Sequence, residues 1–538
     1  MAVVEAIANQ VSLTPALLVL LIAVIIYTVR SRLDERRRVV RLGNYGISIS
    51  PPWVPFGLDI ISRGINAARH HQGLELWRDY FFNRANTVEA RIGGERTIFT
   101  IDPANIKAIL ATQFPDYGKG EPFHAEWKEF MGDGIFTTDG AKWHNSRQLL
   151  RPQFTRDRVS DLECFESHMH TFFRAMANGG ALLGEDQPVD LASANGRVIE
   201  ISDLFYRYTL DVATDFLLGA DVKSMSTPRQ EFADAFNQVQ RWHAVSSRFG
   251  ALRKYLPRTR YRANLRIIDD FVGHFIDLAL SMTPEEIEKR HKSDKGYTFL
   301  QEVVRSTRDR SVIRDQIVAV LLAGRDTTAG TLSWIIYELA RHPACVAKLR
   351  QEILQTVGLG GEEARRPTYE HLRSMPYIKA VINEALRLYP SVPFNVRLAL
   401  RDCTLPRGGG ADGSEPMPVL KDQRVAYSTL VMQRRPDLYP PVSDTFADPG
   451  TFSPERWAHW HPKPHDYIPF NAGPRICIGQ QFALMEMSYV LVRIFQRFSR
   501  LDSHMHELDG GEPTLRAEVT LSPGKGVHVA FWADEEKT

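Results

Sequence analysis

One cysteine, Cys477, lies in a loop whose other members are Phe470, Gly473, Arg475 and Gly479, within the run FNAGPRICIG. The residues that follow, QQFALMEMSYVLV, place apolar side chains at 482, 485, 489 and 492, the spacing of a helix with one buried face. A thiol just ahead of a helix N-terminus faces unpaired N–H groups and the positive end of the helix dipole. Both favour thiolate over thiol. Gly473 and Gly479 permit positive φ and close backbone approach, so the loop can lie flat against a planar group. The chemistry suggested is a thiolate bound end-on to iron. A cysteine beside an apolar helix is more often a small core residue, so the whole spacing carries this reading rather than the cysteine alone.

A second set of reactive types is Asp326 and Thr327, in the run AGRDTTAG. The run lies midway along a helical pattern from about 311 to 341. Its glycines and threonines are poor helix formers. A hydroxyl that bonds the carbonyl one turn back opens such a helix to water. Glycine for close packing, or Asp-Thr as a local cap, would explain the same residues. Trp143 and Arg147 share a helix face at i, i+4, and Glu384 and Arg387 are able to pair at i, i+3.

The elements that must position these groups are mostly helices. The His342-Pro343 break precedes a helix over 344–357, and another covers 377–388. An extended stretch through Pro393, Phe394, Val396 and Arg397 leaves the last of these. Alternation over 86–102 predicts a hairpin about Gly93-Gly94. The segment 405–413 reads as a turn-rich hairpin, and 519–531 as two short strands about 522–526. The charged run 285–298 reads as a solvated loop.

Composition narrows the function. The 538 residues are 43% hydrophobic, ample for one large core, and carry a formal charge of +2. With no basic-aromatic stripe, nucleic-acid binding is not indicated. The four cysteines (164, 345, 403, 477) form no CxxC pair, which argues against zinc and a disulfide framework and fits a reducing compartment.

The N-terminus reads as an anchor. No charged residue lies between Glu5 and Arg30, and Leu13–Val29 is dense in Leu, Ile, Val and Ala. No basic segment precedes the run and no cleavage site follows it, which argues against a signal peptide. Six arginines follow between 30 and 41, placing the C-terminal side in the cytosol. The prolines of SPPWVPFG then favour a stiff, extended hinge.

WHNSR, AGRDTT, EALR, PERW and the loop around Cys477, in this order and spacing, resemble the cytochrome P450 monooxygenases. AGRDTTAGTLSW, NEALRLYPSVPFNVRLA, LPRGGGADG and YIPFNAGPRICIGQQFA are more narrowly similar to the fungal P450s that hydroxylate n-alkanes and fatty acids at the terminal carbon. Ile478, Met485–Met487 and the turn Leu420-Lys-Asp-Gln423 depart from that subgroup.

The resemblance implies a mainly α fold with small β-sheets, preceded by one transmembrane helix. It divides the chain into a lumenal N-terminus (1–10), an anchor (11–29), a basic and Pro-rich linker (30–57) and a catalytic domain (58–538). It implies heme b bound non-covalently, with Cys477 as axial thiolate and Phe470, Gly473, Arg475 and Gly479 in its loop. Trp143, Arg147 and Arg397 would contact the heme propionates, and Asp326 and Thr327 would deliver protons to dioxygen. Glu384, Arg387 and Arg456 would form a buried network bracing the loop. Ala323, Pro393, Phe394 and Val396 would line the substrate chamber. No flavin or nicotinamide fingerprint is present, so electrons would come from NADPH through a membrane-bound NADPH–cytochrome P450 reductase. The implied setting is the endoplasmic reticulum membrane, single-pass, with the catalytic domain cytosolic and a lipophilic substrate. An oxygenase of a terpenoid or polyketide pathway would keep every motif. A heme-thiolate isomerase, dehydratase or heme sensor would have no use for the Asp326-Thr327 pair.

Overall fold

The computed structural model describes residues 2–51, 53–155, 160–227, 229–293, 298–360 and 365–534, without the side chains of 2–16, 21, 24, 25, 250, 251 and 290–293. Helices dominate, and the longest in the catalytic region runs from Arg310 to Leu339, about 45 Å at the α-helical rise. Asp309 caps it by accepting from the N–H groups of Ser311 and Val312 at 2.9 and 3.3 Å. Ile313 to Leu322 pack into one hydrophobic cluster, and Ala329 to Ala340 into another. The intervening 323–328 segment, where the sequence is poorest in helix formers, lies between the two cores.

A six-stranded sheet forms the other wall. Its order is Ile47–Ser48, Thr87–Ile92, Glu95–Thr100, Arg424–Ser428, Phe394–Ala399 and Tyr117–Gly118. The expected hairpin about Gly93-Gly94 is present, with Ile92 opposite Glu95. The hairpin near 405–413 joins Cys403–Gly409 to Glu415–Val419. The two terminal strands form but do not pair with each other. Leu521–Pro523 pairs with Leu515–Ala517, and His528–Ala533 lies between Phe498–Ser503 and Val198–Glu200.

Two expectations are corrected. The charged run 285–298 is helical from Pro284 to Ser293, and 294–297 lies outside the described residues. Thr283 and Glu286 make a reciprocal cap, Glu286 N–H to Thr283 Oγ1 at 3.2 Å and Thr283 N–H to Glu286 Oε2 at 2.8 Å, which starts a helix despite its charge. The basic stretch after residue 30 is no extended linker either, because one helix runs from Ala2 to Leu42. Its last turns dock on the catalytic region through Arg38 with Asp402 and Arg91 with Glu35. Among the described residues no helix is long and apolar enough to cross a membrane.

The helix Pro376–Leu388 holds the element that braces the cysteine loop. Glu384, Arg387 and Arg456 are all essentially inaccessible. Arg387 donates to both oxygens of Glu384 at 2.7 and 2.8 Å, and Arg456 Nε and Trp457 Nε1 add bonds at 3.3 and 3.0 Å. The remaining guanidinium protons go to the carbonyls of Pro449, Ala447, Asp448 and Thr451. A buried pair is tolerated only with such complete partnering. Two bridges lead on to the cysteine loop: Ile468 N–H to Gln433 Oε1 at 2.9 Å, and Tyr467 Oη to Asn383 at 3.1 Å.

Two predictions follow from this frame. Glu384→Ala strands two buried cations and is expected to remove about 3–5 kcal/mol of stability, so that little folded, heme-loaded protein is recovered; the heme-to-protein ratio and thermal midpoint check it. Glu486, on the helix after Cys477, is buried, and burial raises its carboxyl to about 8, with Thr328 opposing. A carboxyl whose folded value exceeds its unfolded one loses stability as pH rises, here from roughly 4.5 up to about 8. Glu486→Gln should therefore raise the melting temperature relative to wild type at pH 8 and leave it nearly unchanged at pH 5.

Candidate heme and substrate site

The cysteine loop is shaped by two residues with positive φ and a short helical turn. Asn471 and Gly473 have φ of 65° and 67°. A Cβ on Gly473 would fall 1.8 Å from the carbonyl oxygen of Leu110, so this glycine is required twice over. Cys477 N–H donates to the carbonyl of Phe470 at 2.9 Å, closing the loop. Gly479 has φ of −90°, not the positive value expected. Its Cβ would meet the Phe154 ring at 3.5 Å, an ordinary contact distance, so neither φ nor protein crowding requires glycine here.

The Cys477 side chain opens into a cavity of about 1070 Å³. Phe470, Gly479, Ala323, Gly324 and Thr327 share its wall, so the thiol and the middle of the long helix border one space. Burial pushes the thiol up, while the Gly479 N–H and the Arg147 charge pull it down. The helix N-terminus alone therefore does not ionise it, contrary to the expectation from sequence. A bound metal cation would supply the missing stabilisation.

Cations crowd one edge of the cavity. Lys119, Arg147, Arg397 and Arg475 line it beside Trp143, over whose ring Arg475 lies at 4.8 Å. Asp139 is already committed: it accepts from the N–H groups of Lys119 and Gly120 and from Arg475 at 2.5 Å. Burial pushes Lys119 well below its ordinary value, and Arg397 and Arg475 add to the effect against Asp139. Burial likewise lowers Arg475 to about 10, and its Nε is buried without a hydrogen-bond partner. Unmatched buried positive charge beside a thiol fits an iron-holding group that bears carboxylates. Lys119 carries no motif; only the fold, through the Tyr117–Gly118 strand, brings it here.

Not every expected residue reaches the cavity. Thr327 does, and its Oγ1 donates to the carbonyl of Ala323 at 2.6 Å, the one-turn-back bond the sequence suggested. Asp326 does not line it. It is buried on the opposite side of the helix, accepting from Gln240 Nε2 at 2.6 Å and facing Arg325 at 3.1 Å. Adjacent helix residues point about 100° apart, so Asp326 and Thr327 diverge. Phe394 and Val396 line the chamber, whereas Pro393 does not. Pro393 lies just ahead of the strand Phe394–Ala399, and its carbonyl accepts from Ser428 and Leu430. Arg147 donates to the Ile476 carbonyl at 3.1 Å, and Arg397 to Asn395 Oδ1 at 2.7 Å.

Comparison with known proteins places this geometry. Residues 52–525 match the family Cytochrome P450. The chain is 54% identical over 533 residues to cytochrome P450 monooxygenase pvhE of Talaromyces variabilis, covering 99% of this chain and 98% of that one. It is 42% identical over 468 residues to cytochrome P450 52A1 of Candida tropicalis, covering 84% and 80%. Among solved structures it superposes on the cytochrome P450DA heme domain with a TM-score of 0.68 at 21% identity, over 92% of this chain and 99% of that one, a likeness of fold. The chain belongs to the cytochrome P450 family and is a heme-thiolate monooxygenase.

Proposed function

We propose that this P450 hydroxylates long, flexible lipophilic substrates, fatty acids or n-alkanes, at or near the terminal carbon. The observation that carries the reading is the cavity, whose lining joins Cys477 and Thr327 to Phe394 and Val396 of the sheet and to the solvent-exposed Arg241 at its mouth, with chiefly aliphatic and aromatic walls. Its volume of about 1070 Å³ is at the top of the range for small-molecule sites, room for a prosthetic group and a chain beside it. A terminal C–H bond is stronger than an internal one, so terminal oxidation requires walls that present the chain end first. Ala323, Phe394 and Val396 are among those walls. Phe394 is fixed by stacking on Trp77 at 4.6 Å. The motifs that resemble those of fungal alkane- and fatty-acid-hydroxylating P450s support the same substrate class.

Heme, held by Cys477 and the cationic edge, supplies O₂ activation when bound: one oxygen atom enters the C–H bond and the other leaves as water, with two electrons and two protons. The rest is done by side chains. Lys119, Arg147, Arg397 and Arg475 neutralise the propionates, and Trp143 packs beneath Arg475. Thr327 commits its hydrogen to Ala323, leaving Oγ1 at the cavity wall as an acceptor that can orient a proton donor. Asp326 supplies protons only by releasing Gln240 and turning toward Thr327, so the pair acts through a side-chain movement. The apolar wall keeps water from the reacting carbon.

Electrons come from a reductase, by the chemistry of the family, and we infer NADPH–cytochrome P450 reductase on a membrane. The exposed apolar side chains Leu17, Leu18, Leu20, Ile22 and Ile26 on the first helix support an anchor over 11–29, ahead of a catalytic domain from 58 onward. Exposed Trp53, Phe56 and Leu58 support contact of the cavity mouth with the same surface. A single-pass endoplasmic reticulum protein with a cytosolic catalytic domain accommodates these features. A second reading, an oxygenase acting on a terpenoid or polyketide, keeps every motif, and the identity to pvhE exceeds that to the 52A enzyme. It would change the substrate and not the chemistry.

The expected outcome is a reduced CO complex absorbing near the position of a thiolate ligand, and NADPH consumption stimulated by dodecane or lauric acid in the presence of reductase. Lack of turnover with all straight chains would favour the second reading. Cys477→Ser should lose the thiolate spectrum. Thr327→Ala should keep it and the substrate-induced spin shift, but divert most NADPH to peroxide, with product per NADPH falling about tenfold or more.

A further inference from the structure

The outer end of the cavity differs in character from the heme end. Between the helix Leu58–Arg69, the turn Ser247–Tyr255 and the hairpin Leu515–Pro523, the lining carries Arg241, Arg248, Arg516 and His71. Glu518 is the carboxylate set among them, 3.4 Å from Arg241 Nε. Glu126, deeper in the wall, is already held by Arg253 and Arg424 at 3.2 and 3.3 Å.

The remaining cations are satisfied by neutral groups. Among the described residues, the hydrogen-bond partners of Arg248 are main-chain carbonyls, Ala244 and, at 3.4 Å, Ala517. Arg516 Nε donates to Ser522 Oγ at 3.0 Å. His71 Nδ1 is buried and has no hydrogen-bond partner. The local field is positive: burial lowers His71, and Arg516, Lys525 and Arg241 lower it further against Glu518. Burial also lowers Arg248, with Glu518 opposing. Guanidinium groups held by main-chain carbonyls, as Arg248 is, or by a hydroxyl, as Arg516 is, lack the anion that planar, bidentate recognition is built for.

An alkane lying in this cavity would leave these groups unpaired. An amphiphile with an oxyanion head would complete them while its tail reached the Thr327 wall. We propose that Arg248 and Arg516, with His71, form an oxyanion site at the cavity mouth, and that the substrate carries a carboxylate held there, with oxidation at the end of the molecule farthest from it. The proposal rests on the chain-lipid reading above for the shape of the tail, and on the mouth alone for the charge. It selects acids over hydrocarbons within that reading, and it sets regiochemistry by distance from a fixed anion.

The test is a spin-state titration of the heme-loaded full chain with matched ligands differing in head group: dodecanoate, its methyl ester and dodecane, and abietate with its methyl ester. Dodecanoate is expected to bind at least tenfold tighter than its ester, the factor a charge-assisted hydrogen bond supplies. That ratio should collapse toward one in Arg248→Leu and Arg516→Gln, through loss of acid affinity. Arg248→Lys should recover part of it, and raising salt should reduce it in wild type. Head-group selectivity confined to abietate would support the anion site while removing the straight-chain function. Equal binding of acid and ester in both series would overturn the site. Loss of the ester as large as the loss of the acid in both variants would overturn it too, since Arg248 and Arg516 would then only hold the Ala517 hairpin in place.

Discussion

Burying charge without stranding it is the constraint on which this structure depends. Glu384 has no access to water, yet it holds one guanidinium in two bonds and a second in one. Each arginine passes its other protons to carbonyls in the 447–451 turn. Such an arrangement gains little net free energy over a well-packed apolar one. Its use is geometric. It fixes the chain direction of the segment leading to Phe470, and so the place where Cys477 emerges. The hydrogen bonds of Gln433 and Tyr467 carry that constraint across the few residues between network and thiol.

The same economy governs the cavity. At the heme end, four cations face one carboxylate whose oxygens are already occupied, and the carboxylates of a bound prosthetic group would match the excess charge. Without that group, the edge would hold desolvated cations in mutual repulsion, so heme binding and folding of this edge are coupled. The middle of the cavity is uncharged, formed where the long helix is thinnest in side chains. Gly324 and Ala323 leave space there, and the Thr327 hydroxyl is the polar atom admitted to it from that stretch of helix.

Much of this was legible in the sequence because it depends on local rules. The cysteine loop, the i, i+3 pair of Glu384 and Arg387, the Thr327 bond to a carbonyl one turn back and the Gly93-Gly94 hairpin each follow from residue type and spacing. Features created by tertiary contact were not. Lys119 joins the cationic edge only because its strand pairs with Phe394–Ala399. Asp326 adjoins Thr327 in the chain but turns toward Gln240, since a helix separates neighbours by rotation. Gly479 needs no unusual φ, and a Cβ there would make only an ordinary contact with Phe154. The charged helix at Pro284–Ser293 was hidden because net polarity outweighed the Thr283–Glu286 cap in the reading. Pro393 precedes the strand whose residues Phe394 to Arg397 line the chamber, a boundary that motif spacing does not reveal.

Regiochemistry in a chamber of this kind is a matter of two fixed ends. The iron position is set by Cys477 and, through the loop, by Glu384. The entry position is set by the helix Leu58–Arg69 and the hairpin at Leu515–Pro523, which meet through the isolated bridge between Gln72 and Leu515. Because the tail between them makes only non-directional apolar contacts, it cannot by itself choose which carbon lies at the reactive wall. A neutral chain would slide along the cavity and be oxidised at several positions, favouring the weaker internal bonds. Discrimination between neighbouring carbons therefore requires a directional interaction at the end remote from the iron. The groups at the mouth able to supply one are cations held by neutral partners.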